Sequence, residues 1–122
     1  MPTLPNTFSI QMGIGSQWQQ SYTLQNSDGT PFNTSGKIFS FVVRNDPTET
    51  GTVTPAIRVT TTPGAQGQVT VIGSTVTVTL LPSATAGLTQ KTYSYSLWMD
   101  QGLSDATAWV TGTVFAVLIA NA

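Results

Sequence analysis

The five acidic side chains are the first candidates for chemistry in this sequence of 122 residues. A glycosidase needs two carboxylates held a defined distance apart. The carboxylates available are Asp28, Asp46, Glu49, Asp100 and Asp105. The first, second and last of these lie in contexts typical of turns, where an aspartate side chain commonly binds its own backbone. We therefore interpret them as turn residues rather than as a catalytic pair.

The residue types that most often act as bases and metal ligands are missing. The chain has no histidine and no cysteine, which removes the commonest general base and the imidazole and thiolate ligands. Serines are plentiful, but only Lys37 and Lys91 are possible bases, and no nucleophile–base pair follows from spacing. The Gly-Ile-Gly segment at 13–15 lacks the strand–loop–helix context of a phosphate loop. We expect no enzymatic activity, no metal site and no cofactor.

The three tryptophans are candidates for binding rather than catalysis. Trp18 shares the alternation phase of the apolar residues that follow it and is assigned to the core. Trp98 has the phase opposite to that of Leu97 and Met99, so it should point away from the core. An outward tryptophan marks a protein contact or a ligand contact, or is covered by a loop of its own chain. Trp109 is ambiguous, and Trp98 and Trp109 are the two predicted partner-contact residues.

Strands must position these side chains. Apolar and hydroxyl residues alternate with period two through 76–81 and again through 93–99, which predicts two strands with one buried face each. Between them, Pro82 and Gly87 bound a short helical turn near 83–88, with Ser83 as its N-cap and Leu88 buried. Together these pieces predict the corner of a β-sandwich.

The rest of the chain repeats the strand pattern. Segment 38–44 is continuously apolar enough for a central strand, and the strand around Pro55 should be an edge or bulged strand. Gly112 suggests a bulge or the close approach of another backbone. About eight short strands with turn signals between them, and no amphipathic helix, predict an all-β, antiparallel, immunoglobulin-like β-sandwich. We expect one domain over residues 1–122, with 1–6 and 120–122 as extended termini.

The amino-acid composition limits the classes of partner that this protein could bind. Charged residues make up 7% of the chain and the net charge is −1, against roughly 25% charged residues in ordinary domains. Four scattered basic residues leave no footprint for nucleic acid. The sequence shows neither a membrane-spanning apolar run nor a signal peptide, so we expect no membrane partner and synthesis in a cytoplasm. A surface this neutral suits a protein packed among neighbours.

Several motifs in order resemble a known family. They are the Gly-containing turn before the first tryptophan (13–18), the turn-rich segment 28–36, the aromatic strand ending at residue 44, the 76–80 strand, the Thr-Ala-Gly-Leu turn at 85–88, the Tyr-rich strand and a closing strand with a mid-strand glycine. This pattern resembles the N-terminal immunoglobulin-like domain of tailed-phage baseplate upper proteins and the small phage and prophage structural proteins related to it. Family members often carry Gly-Asp-Thr before the tryptophan, where this chain has Gly15-Ser16-Gln17.

The resemblance implies a role in a virus particle. Baseplate upper proteins continue into segments that hold the receptor-binding protein, whereas this sequence ends at Ala122. The expectation is therefore a small virion structural domain, made in the host bacterial cytoplasm and attached in repeated copies to the head, connector or tail/baseplate. Its partners would be other virion proteins and copies of itself. The alternative is a carbohydrate-binding adhesion module for a host-surface glycan, which would need a row of outward aromatics built from Trp98 and Trp109.

Overall fold

The computed structural model describes residues 6–46, 54–100, 103–104 and 106–118, with only the backbone described for residues 6–8. Within these ranges the chain forms eight strands and one helical turn. They are β1 (Asn6–Gly13), β2 (Trp18–Thr23), β3 (Phe39–Arg44), β4 (Ile57–Thr60), β5 (Gly67–Ile72), β6 (Thr75–Leu80), α1 (Pro82–Thr85), β7 (Thr92–Met99) and β8 (Thr107–Val117). The predicted extended termini lie outside the described residues, except Asn6, which begins β1.

The strands form two sheets. Five strands pair in the order β1-β8-β7-β3-β4 and three in the order β2-β6-β5. The predicted all-β sandwich is confirmed, with β4 as an edge strand and β3 inside its sheet. One feature differs from a purely antiparallel arrangement, because β1 pairs in parallel with β8. The turn at 14–17 carries the chain across to the other sheet, so β1 and β2 do not form a hairpin with each other.

The buried faces follow the sequence alternation. Every second residue of β6 and of β7 is buried, and these residues form one hydrophobic cluster with β3. They are Val76, Val78 and Leu80 on β6, and Tyr93, Tyr95, Leu97 and Met99 on β7. The period-two pattern therefore identified both the strands and their inner faces.

An aromatic stack joins the two sheets. The Phe41 ring of β3 lies 5.5 Å from the Trp18 ring of β2 and 5.5 Å from the Tyr95 ring of β7, centroid to centroid. Phe41 is fully buried, while Trp18 is half-buried and packs against the core. Because large aromatic rings bury much area and favour offset or tilted contacts, this stack connects the sheets across the centre of the sandwich.

The corner between β6 and β7 is held differently from the prediction. The N-cap of α1 is Leu81, which makes no side-chain cap. Ser83 instead donates its hydroxyl to the Ala65 carbonyl at 2.8 Å, tying the turn to the loop before β5. Beyond α1, the Thr89 amide donates to the Tyr93 hydroxyl at 2.9 Å, and Leu88 is buried as expected. A tyrosine at the start of the strand that bonds back to the preceding loop is a hallmark of immunoglobulin-type corners.

The strand phase of β7 can be tested by two neighbouring substitutions. Leu97→Ala should lower the free energy of unfolding by about 2–5 kcal/mol, because it leaves a cavity on the buried face. Ser96→Ala, on the opposite face, should change it by less than about 0.5 kcal/mol. Urea denaturation followed by tryptophan fluorescence measures both. Equal losses would contradict the assignment of faces.

Candidate contact surfaces

Among the described acidic residues, Asp28 is bonded within its own turn. Asp28 accepts hydrogen bonds from the Thr30 hydroxyl at 2.6 Å and the Thr30 amide at 3.0 Å. Both bonds lower the pKa of the exposed Asp28 carboxyl, and the bond from the Thr30 hydroxyl has the larger effect. The interpretation of Asp28 as a turn residue is confirmed. Asp46 is exposed at the end of β3, and Glu49 and Asp105 lie outside the described residues.

Asp100 is a buried acid that fastens the ends of two strands. Its carboxylate accepts the Ile38 amide at 2.9 Å and lies 3.4 Å from the Lys37 ammonium. Its own amide donates to the Ile38 carbonyl, and its φ is 53°, a conformation that aspartate tolerates better than most residues. This role could not be predicted from the sequence, since it depends on contact between residues about sixty positions apart. Asp100 therefore joins the end of β7 to the residues just before β3.

In the parts of the chain that the structure describes, no three His, Cys, Asp or Glu side chains are grouped so as to hold a metal ion. Among the same residues, no helix has the length and apolar character needed to cross a membrane.

Trp98 lies on the outer face of the five-stranded sheet. It is half-buried, is absent from the core cluster, and stands between Ser40 of β3 and Ala108 of β8. At the same end of the sheet, Ile38 and Leu103 are 55% and 58% exposed. The outward direction expected for Trp98 agrees with this placement, and its role as a contact stays a prediction.

Trp109 does not lie on an outer face. Its side chain is 2% exposed and its ring meets the Phe32 ring edge-to-face at 4.9 Å. The cause is a β-bulge, since Leu97 pairs with Val110 and Trp98 with Ala108, leaving Trp109 as the extra residue. The bulge directs this side chain inward. The expectation that Trp109 forms an exposed contact surface is therefore wrong, and the bulge lies there rather than at Gly112.

A cleft of about 630 Å³ opens between the two sheets on the side of β1 and β2. All of its lining residues are uncharged, namely Ser9, Ile10, Gln20, Ser21, Tyr22, Thr23, Leu24, Gln25, Trp109 and Val110. The Tyr22 hydroxyl and the Trp109 indole nitrogen are buried and lack a hydrogen-bond partner. Burial, together with the neighbouring Tyr95 phenol, raises the pKa of Tyr22.

Hydroxyl pairs cover the outer faces of both sheets. Ser9 and Thr113 are hydrogen-bonded at 3.2 Å across β1 and β8, and Ser21 and Thr77 at 2.8 Å across β2 and β6. Such cross-strand pairs stabilise a sheet without introducing charge. At these positions the outer faces are polar without being charged.

Comparison with known proteins gives information about the fold. No protein-family profile and no curated protein matches the sequence. Among solved structures, a crystal structure of the titin M10–obscurin-like 1 Ig complex aligns over 98% of this chain and 97% of that chain, with a TM-score of 0.51 and 9% identity. The chain has an immunoglobulin-like fold. A structure of titin domain M7 aligns over 95% of this chain and 93% of that chain, with a TM-score of 0.48 and 7% identity.

Two tyrosine substitutions separate a bonded hydroxyl from an unbonded one. Tyr93→Phe should cost about 1–3 kcal/mol in unfolding free energy, because the buried oxygen that receives the Thr89 amide is lost. Tyr22→Phe removes a hydroxyl with no partner and should be neutral or stabilising. Urea denaturation at pH 7 measures both, and a larger loss for Tyr22→Phe would contradict the assignment.

The raised tyrosine pKa values predict sensitivity to alkali. Burial raises the pKa of Tyr22 and of Tyr95 above the unfolded value near 10, so folding favours the neutral phenols. Their contribution to stability is complete below about pH 10 and is lost as the pH rises further. Tyr22→Phe removes one such group and should move the alkaline unfolding midpoint upward, as followed by circular dichroism. An unchanged or lower midpoint would show that Tyr22 ionisation does not drive the transition.

Proposed function

We propose that this protein is a non-enzymatic structural domain of a bacteriophage virion, bound in repeated copies to neighbouring proteins of the head, connector or tail/baseplate. The sequence resemblance to baseplate upper proteins supports the viral setting. The fold supports a role in assembly, since an immunoglobulin-like sandwich offers sheet faces and edges to partners.

The observation that carries the proposal is an outward tryptophan with small uncharged residues beside it on both neighbouring strands. Trp98 lies between Ser40 and Ala108, and the exposed Ile38 and Leu103 lie at the same end of the sheet. Tryptophan is enriched among the residues that dominate binding energy, which are surrounded in the complex by contacts that add little energy themselves but exclude water. A contact centred on Trp98 uses apolar burial rather than ion pairs.

The area and the salt response of this contact follow from its chemistry. A stable interface buries at least about 1,000 Å² in total, so the partner must cover the sheet face well beyond the tryptophan. Salt screens interactions between charges, which are scarce here. Attachment should therefore depend only weakly on ionic strength.

The experiment uses particles of the phage that encodes this chain. Mass spectrometry of purified particles should detect the protein in repeated copies, and its absence would contradict the proposal. Particles assembled with Trp98→Ala should carry clearly less of it, because losing such an anchor costs about 2 kcal/mol or more. Ser96→Ala, on the same strand and face, is the matched control and should leave occupancy unchanged.

A salt wash tests the mode of attachment. Native particles washed in low and high salt should retain the protein equally. Full occupancy by the Trp98→Ala variant would show that Trp98 is not part of the contact. Loss of the native protein in high salt alone would contradict apolar attachment. The glycan-binding alternative is not proposed, because the burial of Trp109 leaves Trp98 without its expected second aromatic.

A further inference from the structure

The free edge of β2 is exposed to the cleft between the sheets. β2 is the end strand of the three-stranded sheet, and among the described strands it pairs only with β6. We propose that this edge is a strand-addition site, which accepts an extended, uncharged segment of a neighbouring polypeptide. The site is separate from the Trp98 face and does not depend on where the protein resides.

The hydrogen-bond pattern identifies the backbone groups that face outward. Just after β2, the Leu24 amide donates to the Ser74 carbonyl at 2.8 Å and so points to the β6 side, while the Leu24 carbonyl accepts the Phe32 amide at 3.0 Å. In an antiparallel ladder alternate residues point their amide and carbonyl groups to opposite sides. Gln19, Ser21 and Thr23 therefore direct theirs away from β6.

A side chain supports this direction. The Gln20 amide nitrogen donates to the Ser21 carbonyl at 3.3 Å, so that oxygen is accessible outside the ladder with β6. The Gln20 side chain thus donates to a carbonyl that an added strand would otherwise bind. The edge offers main-chain donors and acceptors at every second residue.

The shape of the cleft matches an extended occupant. Six consecutive residues, 20–25, line one wall, and inward and outward side chains alternate along them. Because residues that point to both faces of the strand line the cavity, the cavity runs along the main-chain edge of the strand and not over one face. The opposite wall is formed by residues of β1 and β8. Residues 24 and 25 already pair with residues 31 and 32, so the length open to pairing is that of β2 itself. Its six residues span about 20 Å, which sets the length of the segment that would pair.

The lining specifies the chemistry of the occupant. β2 contains neither a charged residue nor a proline, two devices that commonly block strand addition. Gln20 has the inward phase yet is exposed, because no strand covers it. An added strand would place one face toward Ile10 and the tryptophan in the bulge, which favours apolar side chains. Its other face would continue the hydroxyl surface beside Ser21. Main-chain pairing would supply affinity, as in other strand-addition complexes.

The test uses a peptide that already has this character. The probe carries the sequence of residues 74–81, a stretch containing β6, capped at both ends and extended by two lysines for solubility. Amide hydrogen exchange of the native protein is recorded by NMR with and without excess probe. We expect exchange at Gln19, Ser21 and Thr23 to slow at least tenfold, with little change at Gln20 and Tyr22. No slowing, or slowing at the β5 edge instead, would overturn the proposal.

Two controls separate edge pairing from other contacts. Ser21→Pro removes one outward amide, whereas Ser21→Ala loses the same bond to Thr77 but keeps the amide. The proline variant should bind the probe at least tenfold more weakly than the alanine variant, and equal binding would contradict the site. A probe N-methylated at its two central residues should not slow exchange in the native protein, and this control needs no protein variant. Both results are independent of the particle experiment, so either proposal can fail alone.

Discussion

The ring of Phe41, placed between Trp18 and Tyr95, is the contact on which the two sheets depend. The chain has no cysteine, so no disulfide can connect its sheets. The connection comes instead from aromatic area removed from water at the centre of the sandwich. Since packing of this kind is sensitive to shape, the strands must keep their register for the rings to meet.

The parts of the fold that could be predicted are those set by local alternation. The inner faces of β6 and β7 follow directly from the two-residue period, and the turn at Asp28 follows from its neighbours. The parts that could not be predicted depend on distant pairing. They are the parallel pairing of β1, the inward direction of Trp109 and the contacts of Asp100. Each depends on pairing between segments that lie far apart in the sequence.

The candidate contact residues show the same division. Trp98 has the direction that its phase predicted because the alternation of β7 continues through Met99. The direction of Trp109 was ambiguous in the sequence, and the extra residue at the bulge decides it. The open edge of β2 was also invisible in the sequence. Its hydroxyl and amide residues have the pattern of any half-buried strand, and only the sheet order shows that no other described strand pairs on their far side.

The parallel pairing of β1 with β8 also constrains the order of folding. Ser9 and Thr113, which are bonded across these strands, are separated by 104 positions. Closing so long a loop is entropically expensive, so such contacts form late. Because β1 precedes β8 in the chain, it leaves the ribosome earlier and can pair with β8 only when β8 has emerged. Until then this edge of β1 has no β8 partner.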